Sequence, residues 1–336
     1  MKNNNIEAPK TSPKISFHNE PRLSEHEADK NKNEKRVNLI PFVKDFISNH
    51  ERFKGKEVNI TFALKGNSSL VCIVETPEGK LVLKIRLGVT GTSGDVKFFK
   101  VWEEAGVKVP HILEDGKING HQYTLMEYVD AKPLNEVYKK GEMVEKEIYV
   151  ELGKILRAMH MPKAEGFGRC VDGKAEFSRF EDWLNSPGIQ KKIKYVEEHK
   201  LLGEEHGSLE LAIKILTEHV NKEKRSSYCH EDFGTANIFA TNPLTVFDPN
   251  PRFNNRYIDL GRSVMRTIYN DSGLTRAKDQ LIRGYFNGEP YDERVLQASI
   301  LLNAYMKFDY AHKIGRLKQI DCIRKYLTET KYLLEK

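Results

Sequence analysis

The pattern of hydrophobic and polar positions changes character near residue 130. Before that point short apolar runs of β type prevail, and they predict strands over 58–64, 69–75, 80–85, 111–114 and 121–127. After it, apolar residues recur at helical spacing. Helices are predicted before this point over 38–50 and 94–105. After it they are predicted over 145–160, 178–198, 207–222, 258–270, 274–286, 292–313 and 318–334.

The order of these elements predicts an α+β fold with two lobes. A small antiparallel sheet with helices would form the first lobe over 37–127, and a larger helical lobe would follow over 128–336. Thr76-Pro77-Glu78-Gly79 between two strands is typical of a hairpin turn. The segment 126–130 is a candidate hinge, and within the second lobe only 228–248 is predicted to interrupt the helices.

The first 36 residues are rich in Asn, Lys, Glu and Pro and contain almost no large apolar side chains. This composition predicts a disordered polar tail over 1–36, with a targeting or docking arm as the alternative. Over the whole chain of 336 residues, 39% are hydrophobic, which is enough to bury a core.

The charge and the cysteines exclude several classes of protein. Lys and Arg number 54 against 48 Asp and Glu, and the resulting charge of +6 permits anionic ligands without indicating a nucleic-acid binder. The four cysteines form no CxxC pair, so neither a zinc site nor a disulfide framework is predicted. Because the chain shows no long apolar run and no signal sequence, we predict a cytoplasmic protein without a membrane segment, with export independent of such a signal as the alternative.

One short segment contains polar side chains in an order typical of phosphoryl transfer. Asp232 is followed five residues later by Asn237, and Asp248 ends the apolar run 244–247. A loop with this spacing, and with a His two residues before the Asp, presents the Asp to an acceptor hydroxyl and the Asn to a metal ion. We predict that Asp232 is the catalytic base and that Asn237 and Asp248 bind Mg²⁺ beside a nucleotide. His230 is expected to brace the loop by hydrogen bonding.

Each of these residues also has an ordinary structural interpretation. Asp232 and Asn237 could be turn residues, and Asp248 before Pro249 could begin a turn. The functional interpretation is favoured because all three occur in the order that one reaction needs.

Lys84 lies among apolar residues in the predicted strand 80–85, where a lysine is costly to bury without a partner. A kinase lysine in this context contacts the α- and β-phosphates, and a solvent-facing strand lysine is the alternative. Asp95 is the first candidate for its carboxylate partner, and Glu103 and Glu104 are weaker candidates.

Gly66, Asn67, Ser68 and Ser69 lie between the first two strands. Small residues there would allow backbone N–H groups to approach phosphate oxygens, although any hairpin could have this composition. No GxxxxGK[ST] sequence occurs, so the segment is not a Walker loop.

Together these motifs resemble the aminoglycoside phosphotransferase family, the small-molecule branch of the protein-kinase-like fold. The resemblance extends from about Asn59 to about Ile268. The matching segments are Gly66–Ser69, Val82–Lys84, Gly106–Pro110, Leu125–Tyr128, Leu152-Gly153, Ala158–His160, His230–Asp232, Asn237-Ile238, Phe247–Pro249 and Tyr257–Leu260.

The resemblance implies a bilobal protein-kinase-like fold with ATP and Mg²⁺ as cofactors, GTP being the alternative nucleotide. It also implies that Lys84 contacts ATP and that backbone groups of Glu127 and Val129 bind adenine. Asp259 would hold the catalytic loop from the start of a helix, which is compatible with a carboxylate favoured by the helix dipole.

The chain departs from the family pattern at three points. Glu231 stands between the His and the Asp, where the family often has Gly, and Pro249 follows the metal Asp, where an aromatic residue is frequent. In this chain, the helix glutamate that pairs with the strand lysine in the family is replaced by another residue or lies at another position. These changes bear on rate and substrate more than on the class of reaction.

The first functional hypothesis is ATP-dependent phosphorylation of a hydroxyl group on a small molecule. Only eleven positions separate Asp248 from Asp259 and no APE sequence follows, which argues against a classical protein kinase. A kinase-like protein acting on a macromolecule and a non-enzymatic nucleotide-binding scaffold are the alternatives, and a nucleic-acid binder has the least support. The basic charge weakens an assignment to polycationic aminoglycosides, so a sugar, an amino alcohol or another metabolite is equally allowed. The segment 167–216 and the helices after Asn270 are expected to form the acceptor pocket.

Overall fold

The structure is a computed structural model that describes residues 12–26, 29–63, 69–88, 94–203, 208–270 and 275–335. The chain forms two compact units. The first comprises Met1–Val96 and Pro110–Val129, and the second comprises Lys97–Val109 and Asp130–Lys336.

The first unit consists mainly of strands, and the second is mainly helical. The strands of the described ranges are β1 (Lys14–Phe17), β2 (Glu57–Phe62), β3 (Ser69–Thr76), β4 (Gly79–Arg86), β5 (Ile112–Ile118), β6 (His121–Glu127), β7 (Lys163–Ala164), β8 (Phe167–Val171), β9 (Lys174–Phe177), β10 (Ser226–Cys229), β11 (Ile238–Phe239), β12 (Thr245–Val246) and β13 (Arg252–Asn254). The helices are α1 (Lys30–Asn49), α2 (Gly94–Glu104), α3 (Leu134–Val137), α4 (Lys140–Glu145), α5 (Ile148–His160), α6 (Phe180–Leu184), α7 (Pro187–Glu198), α8 (Leu209–Glu223), α9 (Arg256–Asn270), α10 (Thr275–Phe286), α11 (Glu293–Lys313), α12 (Leu317–Thr330) and α13 (Tyr332–Glu335).

The first unit is built on a six-stranded sheet with the order β1-β2-β3-β4-β6-β5. Neighbouring strands are antiparallel except for β1 and β2, which run parallel. Side-chain alternation in β2 buries Val58, Ile60 and Phe62 on one face, where they join Leu39 and Val43 of α1 in one apolar core. This core supports β4, the strand that contains Lys84.

The disordered tail predicted over 1–36 is not what the described part of that segment shows. Strand β1 pairs with β2, with Lys14 opposite Glu57. The Asn19 side chain exchanges two hydrogen bonds with the backbone of Phe62, at 2.9 and 2.7 Å, and α1 begins at Lys30 rather than near 38. Backbone pairing of an edge strand needs few apolar side chains, so composition does not reveal it. Residues 1–11 and 27–28 lie outside the described residues.

The second unit contains an antiparallel five-stranded sheet, in the order β7-β10-β13-β8-β9, beside its helices. The prediction that only 228–248 interrupts the helices is therefore wrong, because β7, β8 and β9 lie between α5 and α6. These strands are two to five residues long and expose much of their length, so they leave no clear periodic signal. The sheet-rich first unit and the helix-rich second unit confirm the predicted α+β class.

Two further features determine how the helices of the second unit pack. The predicted helix 178–198 is divided into α6 and α7, because Pro187 begins a new helix after Ser186. Helix α11 is buried on all sides between Val295 and Met306 and packs against α7, α8, α9 and α12. Within the described ranges, none of the helices combines the length and the apolar character needed to cross a membrane.

Candidate active site

The loop after β10 is clamped by the carboxylate of Asp259, which is buried in the first turn of α9. The two carboxylate oxygens accept hydrogen bonds from the backbone N–H groups of His230, at 2.7 Å, and Glu231, at 2.8 Å. Glu231 has φ +57°, in the left-handed region that favours glycine. Charge-assisted hydrogen bonds on both N–H groups hold the loop in this conformation.

His160 of α5 fixes Asp259 in turn. Its Nε2 lies 3.1 Å from Asp259 Oδ2, and its Nδ1 lies 2.8 Å from the hydroxyl of Tyr285. Burial alone would raise the pKa of Asp259, but the hydrogen bond and charge of His160 hold that pKa below its usual range. The clamp is therefore an ionised carboxylate at neutral pH.

Cys229 lies beside this pair, and one ligand atom from each of His160, Cys229 and Asp259 lies within 4.8 Å of the others. Burial raises the pKa of the Cys229 thiol well above its usual value, so the group keeps its proton. The Asp259 and His160 atoms are already hydrogen-bonded. These three residues fit a hydrogen-bonded support for the loop better than a metal centre.

His230 is fully buried and braces the loop through both ring nitrogens. Its Nε2 lies 3.1 Å from the carbonyl oxygen of Phe247, and the backbone N–H of Asp232 points to its Nδ1 at 3.2 Å. This pattern needs a neutral ring with the proton on Nε2. Burial lowers the pKa of His230 against the opposing effect of nearby carboxylates, which agrees with a neutral ring. Trp102 stacks on the ring, with 5.8 Å between ring centroids.

Asn237 directs both of its amide hydrogens to Asp232. Its Nδ2 lies 2.8 Å from the backbone oxygen and 2.9 Å from Oδ2 of Asp232. The Asn237 oxygen is therefore the side-chain atom that remains for a cation. The Asp232 side chain stays 41% exposed, so its carboxylate is accessible to a hydroxyl group.

Two arginines of α9 also contact Asp232. Arg266 Nη1 lies 2.6 Å from both the backbone oxygen and Oδ1 of Asp232, and Arg262 Nη2 lies 3.4 Å from Oδ1. Burial would raise the pKa of Asp232, but the charges of Arg266 and Arg262 hold it below its usual range. Arg262 also forms a buried ion pair with Glu231 at 2.7 Å.

No role was predicted for these arginines, and Glu231 was predicted only to depart from the family pattern. One signal was available for Arg262 and Arg266, because they follow Asp259 by three and seven residues and so share its helix face. The contact of Glu231 with α9 left no such signal in the local pattern.

Asn237 and Asp248 lie at the same end of a two-stranded ribbon. Strands β11 and β12 pair with Ile238 opposite Val246, and the N–H of Phe247 donates to the carbonyl of Asn237 at 3.0 Å. Asp248 is half-buried and has φ +49°. Amide and carboxylate oxygens are the ligands that Mg²⁺ prefers, so this pair of residues fits such an ion.

In the first unit, Lys84 and Asp95 form a buried ion pair with an Nζ–Oδ2 distance of 3.0 Å. Arg86 contacts the other carboxylate oxygen of Asp95. Burial would raise the pKa of Asp95, but Lys84 and Arg86 hold it below its usual range. Of the carboxylates considered as partners for Lys84, the structure therefore pairs it with Asp95.

The other residues predicted to bind the nucleotide are also in the first unit. Glu127 ends β6, donates its N–H to the carbonyl of His111 at 2.9 Å and accepts the His111 N–H at 3.0 Å through its side chain. Val129 is the last residue of this unit. Ser69 begins β3, and its buried hydroxyl has no hydrogen-bond partner among the described residues. Gly66, Asn67 and Ser68 lie outside the described residues.

Comparison with known proteins gives a consistent result. Residues 59–295 match the sequence profile of the phosphotransferase enzyme family. A thermostable mutant of aminoglycoside phosphotransferase APH(4)-Ia, solved in a ternary complex with AMP-PNP and hygromycin B, superposes with a TM-score of 0.61 at 14% identity, over 87% of this chain and 97% of that chain. Choline kinase from Cryptosporidium parvum Iowa II gives a TM-score of 0.52 at 14% identity, over 89% and 95% of the two chains. No curated protein sequence matches. The structural likenesses confirm the predicted protein-kinase-like fold.

Proposed function

Because the chain belongs to the phosphotransferase enzyme family, we propose that it transfers the γ-phosphoryl group of ATP or GTP to a hydroxyl group of a small molecule, with Mg²⁺. The observation that carries this proposal is the joint arrangement of Asp232, Asn237 and Asp248. An accessible carboxylate, an amide oxygen and a second carboxylate lie on one loop and the ribbon that follows it.

In the proposed reaction the acceptor hydroxyl donates a hydrogen bond to the Asp232 carboxylate, which orients its oxygen. A bond forms between this oxygen and the γ-phosphorus. The bond from phosphorus to the β,γ-bridging oxygen breaks, and its electron pair stays on the nucleoside diphosphate. The hydroxyl proton passes to Asp232, which is ionised beforehand because Arg266 and Arg262 hold its pKa low.

The surrounding residues position Asp232. Arg266 and Asn237 each bond both its backbone oxygen and its carboxylate, so the side chain cannot rotate freely. Asp259 and His160 fix the loop itself. Such rigid orientation matters because catalysis of phosphoryl transfer consists mainly of positioning and electrostatic stabilisation.

Asn237 and Asp248 would hold the Mg²⁺ ion, which when bound neutralises charge on the phosphate oxygens. Asn237 can contact Asp232 and the ion at the same time, because its amide hydrogens bond to Asp232 and its side-chain oxygen is left for the ion.

Residues of the first unit are proposed to bind the nucleotide. Lys84 would contact its phosphates while Asp95 fixes the position of the ammonium group. Backbone groups of Glu127 and Val129 would bind the base, and the segment 66–69 would approach the phosphates through its N–H groups. The support for these roles is the family membership together with the buried Lys84–Asp95 pair.

The chain between Asp248 and α9 favours a small acceptor over a protein. This interval contains β13, which pairs with both β10 and β8, and α9 begins at Arg256. Protein kinases have an activation segment with an APE motif after the metal-binding Asp. Since the interval is short and already paired in a sheet, it offers no room for such a segment.

A phosphorylation assay tests this proposal. The purified chain is incubated with ATP or GTP, Mg²⁺ and a panel of hydroxyl metabolites, amino alcohols and aminoglycosides, and phosphate transfer is measured. We expect turnover on a small molecule, with a loss of about 10²–10⁴ in rate for Asp232→Asn. Asp279→Asn is the matched control, since that carboxylate is exposed on α10.

The alternatives give different results in the same assay. Phosphate that appears only on an added protein would indicate a macromolecular kinase, and nucleotide binding without transfer to any acceptor would indicate a scaffold. Full activity of Asp232→Asn would remove Asp232 from the mechanism.

A further inference from the structure

Two lysines from different helices approach the catalytic loop. Lys307 of α11 is partly buried, and the charged groups near it include Asp232, Glu231 and Lys192 of α7. Helix α11 packs against both α7 and α9, which accounts for this approach. Among the described residues, no carboxylate oxygen lies within 4.0 Å of the Nζ atom of Lys192 or Lys307, which is the limit for an ion pair.

Arg252 of β13 adds a third cation near Glu231 and Lys192. It lies directly opposite Arg169 of β8, and like charges at such positions are unfavourable. The guanidinium of Arg169 bonds to both carboxylate oxygens of Glu176, at 3.0 and 2.6 Å. In the described ranges, the Arg252 side chain itself forms neither a hydrogen bond nor an ion pair.

We refer to Lys192, Arg252 and Lys307 as the basic cluster. The nearby carboxylates Glu231 and Asp232 do not neutralise it, because the two arginines of α9 already pair with them. Asp309 lies near Lys192, and its buried Oδ1 has no hydrogen-bond partner among the described residues. Asp309 is thus the remaining carboxylate near the cluster, and it lies near Lys192 alone among the three cations.

This arrangement is unfavourable for the fold. Burial, together with neighbouring positive charges, lowers the pKa of Lys307 and Lys192, and burial lowers that of Arg252. Partly buried cations without carboxylate partners are typical of binding sites, because a ligand then supplies the missing charge.

We propose that the basic cluster binds an anionic group of the phosphate acceptor, so that the acceptor is a small hydroxyl compound with a phosphate or carboxylate group. This inference rests on the proposed function, because it needs the hydroxyl to reach Asp232 while the anion contacts the cluster. Lysine and arginine donors suit both kinds of anion. A polycationic acceptor would bring further positive charge to a site that already has an excess. Partial burial of all three cations favours a small ligand over a macromolecular polyanion.

A binding experiment without nucleotide tests the cluster independently of catalysis. Calorimetric titration of the full chain compares inorganic phosphate, a hexose 6-phosphate and a hexonate with the parent hexose. We expect at least one anion to bind about tenfold or more tightly than the hexose, and to weaken about tenfold in Lys307→Met and in Lys192→Met. The comparison of phosphate and carboxylate probes identifies the preferred anion.

The matched control is Lys191→Met, which removes an exposed lysine next to Lys192 on the same helix and should leave binding unchanged. Lys84→Met should also retain it, which separates the cluster from the proposed nucleotide site. Thermal unfolding of each variant verifies that it is folded. No anion binding at about 10 mM, or equal binding by the wild type and both cluster variants, would overturn the inference.

The phosphorylation assay then separates this inference from the proposed function. Turnover on anionic acceptors supports both the anionic acceptor and the kinase assignment, if Lys307→Met raises the KM for the acceptor about tenfold and leaves the KM for ATP unchanged. Turnover only on neutral or cationic acceptors, unaffected by Lys307→Met, overturns the anionic acceptor and leaves the kinase assignment intact. Anion binding that depends on the cluster, without transfer to any acceptor, overturns the kinase assignment and retains the anion site.

Discussion

Arg262 Nη1 lies 2.7 Å from Glu231 Oε2, and the two side chains are only 9% and 7% exposed. The pair joins α9 to the residue that precedes Asp232. Glu231 thus contributes a buried charge at a backbone position where its φ of +57° would favour glycine.

Glu231→Gly should be more stable than Glu231→Ala, by about 1 kcal/mol, because only the glycine relieves the left-handed backbone. Both should be less stable than the wild type by roughly 2–5 kcal/mol, since each leaves Arg262 without its closest carboxylate. Urea denaturation measures both differences. Glu147 provides a control, because it has φ +52° but pairs with Arg283 at the surface, so Glu147→Gly should cost little or nothing. Equal stability of the Gly and Ala variants at 231 would contradict the strain argument.

Arg266→Met should lower kcat by roughly 10–100-fold while leaving the KM for ATP nearly unchanged. Arg266 bonds both the backbone and the carboxylate of Asp232, so its loss frees the proposed base to reorient. Steady-state kinetics on the acceptor found in the panel measures kcat and KM separately. Arg266→Lys should recover part of kcat, and Arg283→Met, which removes an exposed arginine of α10, should have no effect. A change confined to KM would assign Arg266 to substrate binding instead.

Lys84→Met should weaken nucleotide binding about tenfold or more without a large loss of stability, because Asp95 keeps Arg86 as its partner. Asp95→Asn should be markedly less stable, since it leaves two cations near a neutral amide. Nucleotide titration and thermal unfolding measure the two effects. Lys80→Met is the control, because that β4 lysine is exposed and pairs with Glu75. Unchanged nucleotide affinity in Lys84→Met would exclude a phosphate contact.

Asp259→Asn should be less stable than the wild type above about pH 5, and the difference should shrink as the pH falls below 4. The pKa of Asp259 is held below its usual value of 3.8 in the folded state, chiefly by His160 acting against burial. A lowered carboxyl pKa stabilises the fold above the unfolded value, and this contribution is lost as the pH falls through the folded value. Denaturation at several pH values measures the difference in stability between the wild type and Asp259→Asn. A constant difference down to pH 2 would show that Asp259 does not titrate in this way.

Lys307→Met should be at least as stable as the wild type, with an advantage that grows as the pH falls from 10 towards neutrality. Burial and the charges of Arg262 and Lys192 hold the pKa of Lys307 well below its usual 10.5, although Glu231 and Asp232 oppose them. The folded state therefore binds fewer protons than the unfolded state in this range, and wild-type stability decreases as the pH falls.

Denaturation of the wild type and Lys307→Met between pH 6 and 10 measures this advantage, and Lys191→Met serves as the control. A loss of stability in Lys307→Met that does not change with pH would contradict it. The substitution should at the same time reduce stabilisation by an anionic ligand, because it weakens binding about tenfold. Such a combination is expected where a residue is retained for binding at a cost in stability.

The sequence by itself determined those features that depend on local order along the chain. The spacing from Asp232 to Asn237, the position of Lys84 in a β-hairpin and the run that ends at Asp248 all follow from residues that are neighbours or near neighbours. Their catalytic roles stay predictions. The α+β class was also accessible, because long helices and hairpin strands leave periodic patterns.

Only the tertiary structure decided what surrounds Asp232. Two arginines of α9 contact it although they lie 30 and 34 residues away in the sequence. The basic cluster likewise combines residues of α7, β13 and α11. The strands β7 to β9 and the ordered β1 also escaped detection, because pairing of short strands is fixed by partners distant in sequence. A local pattern shows which face of a helix or strand is apolar. The charge balance at a site depends instead on which elements pack together, because packing brings together residues that are far apart in the sequence.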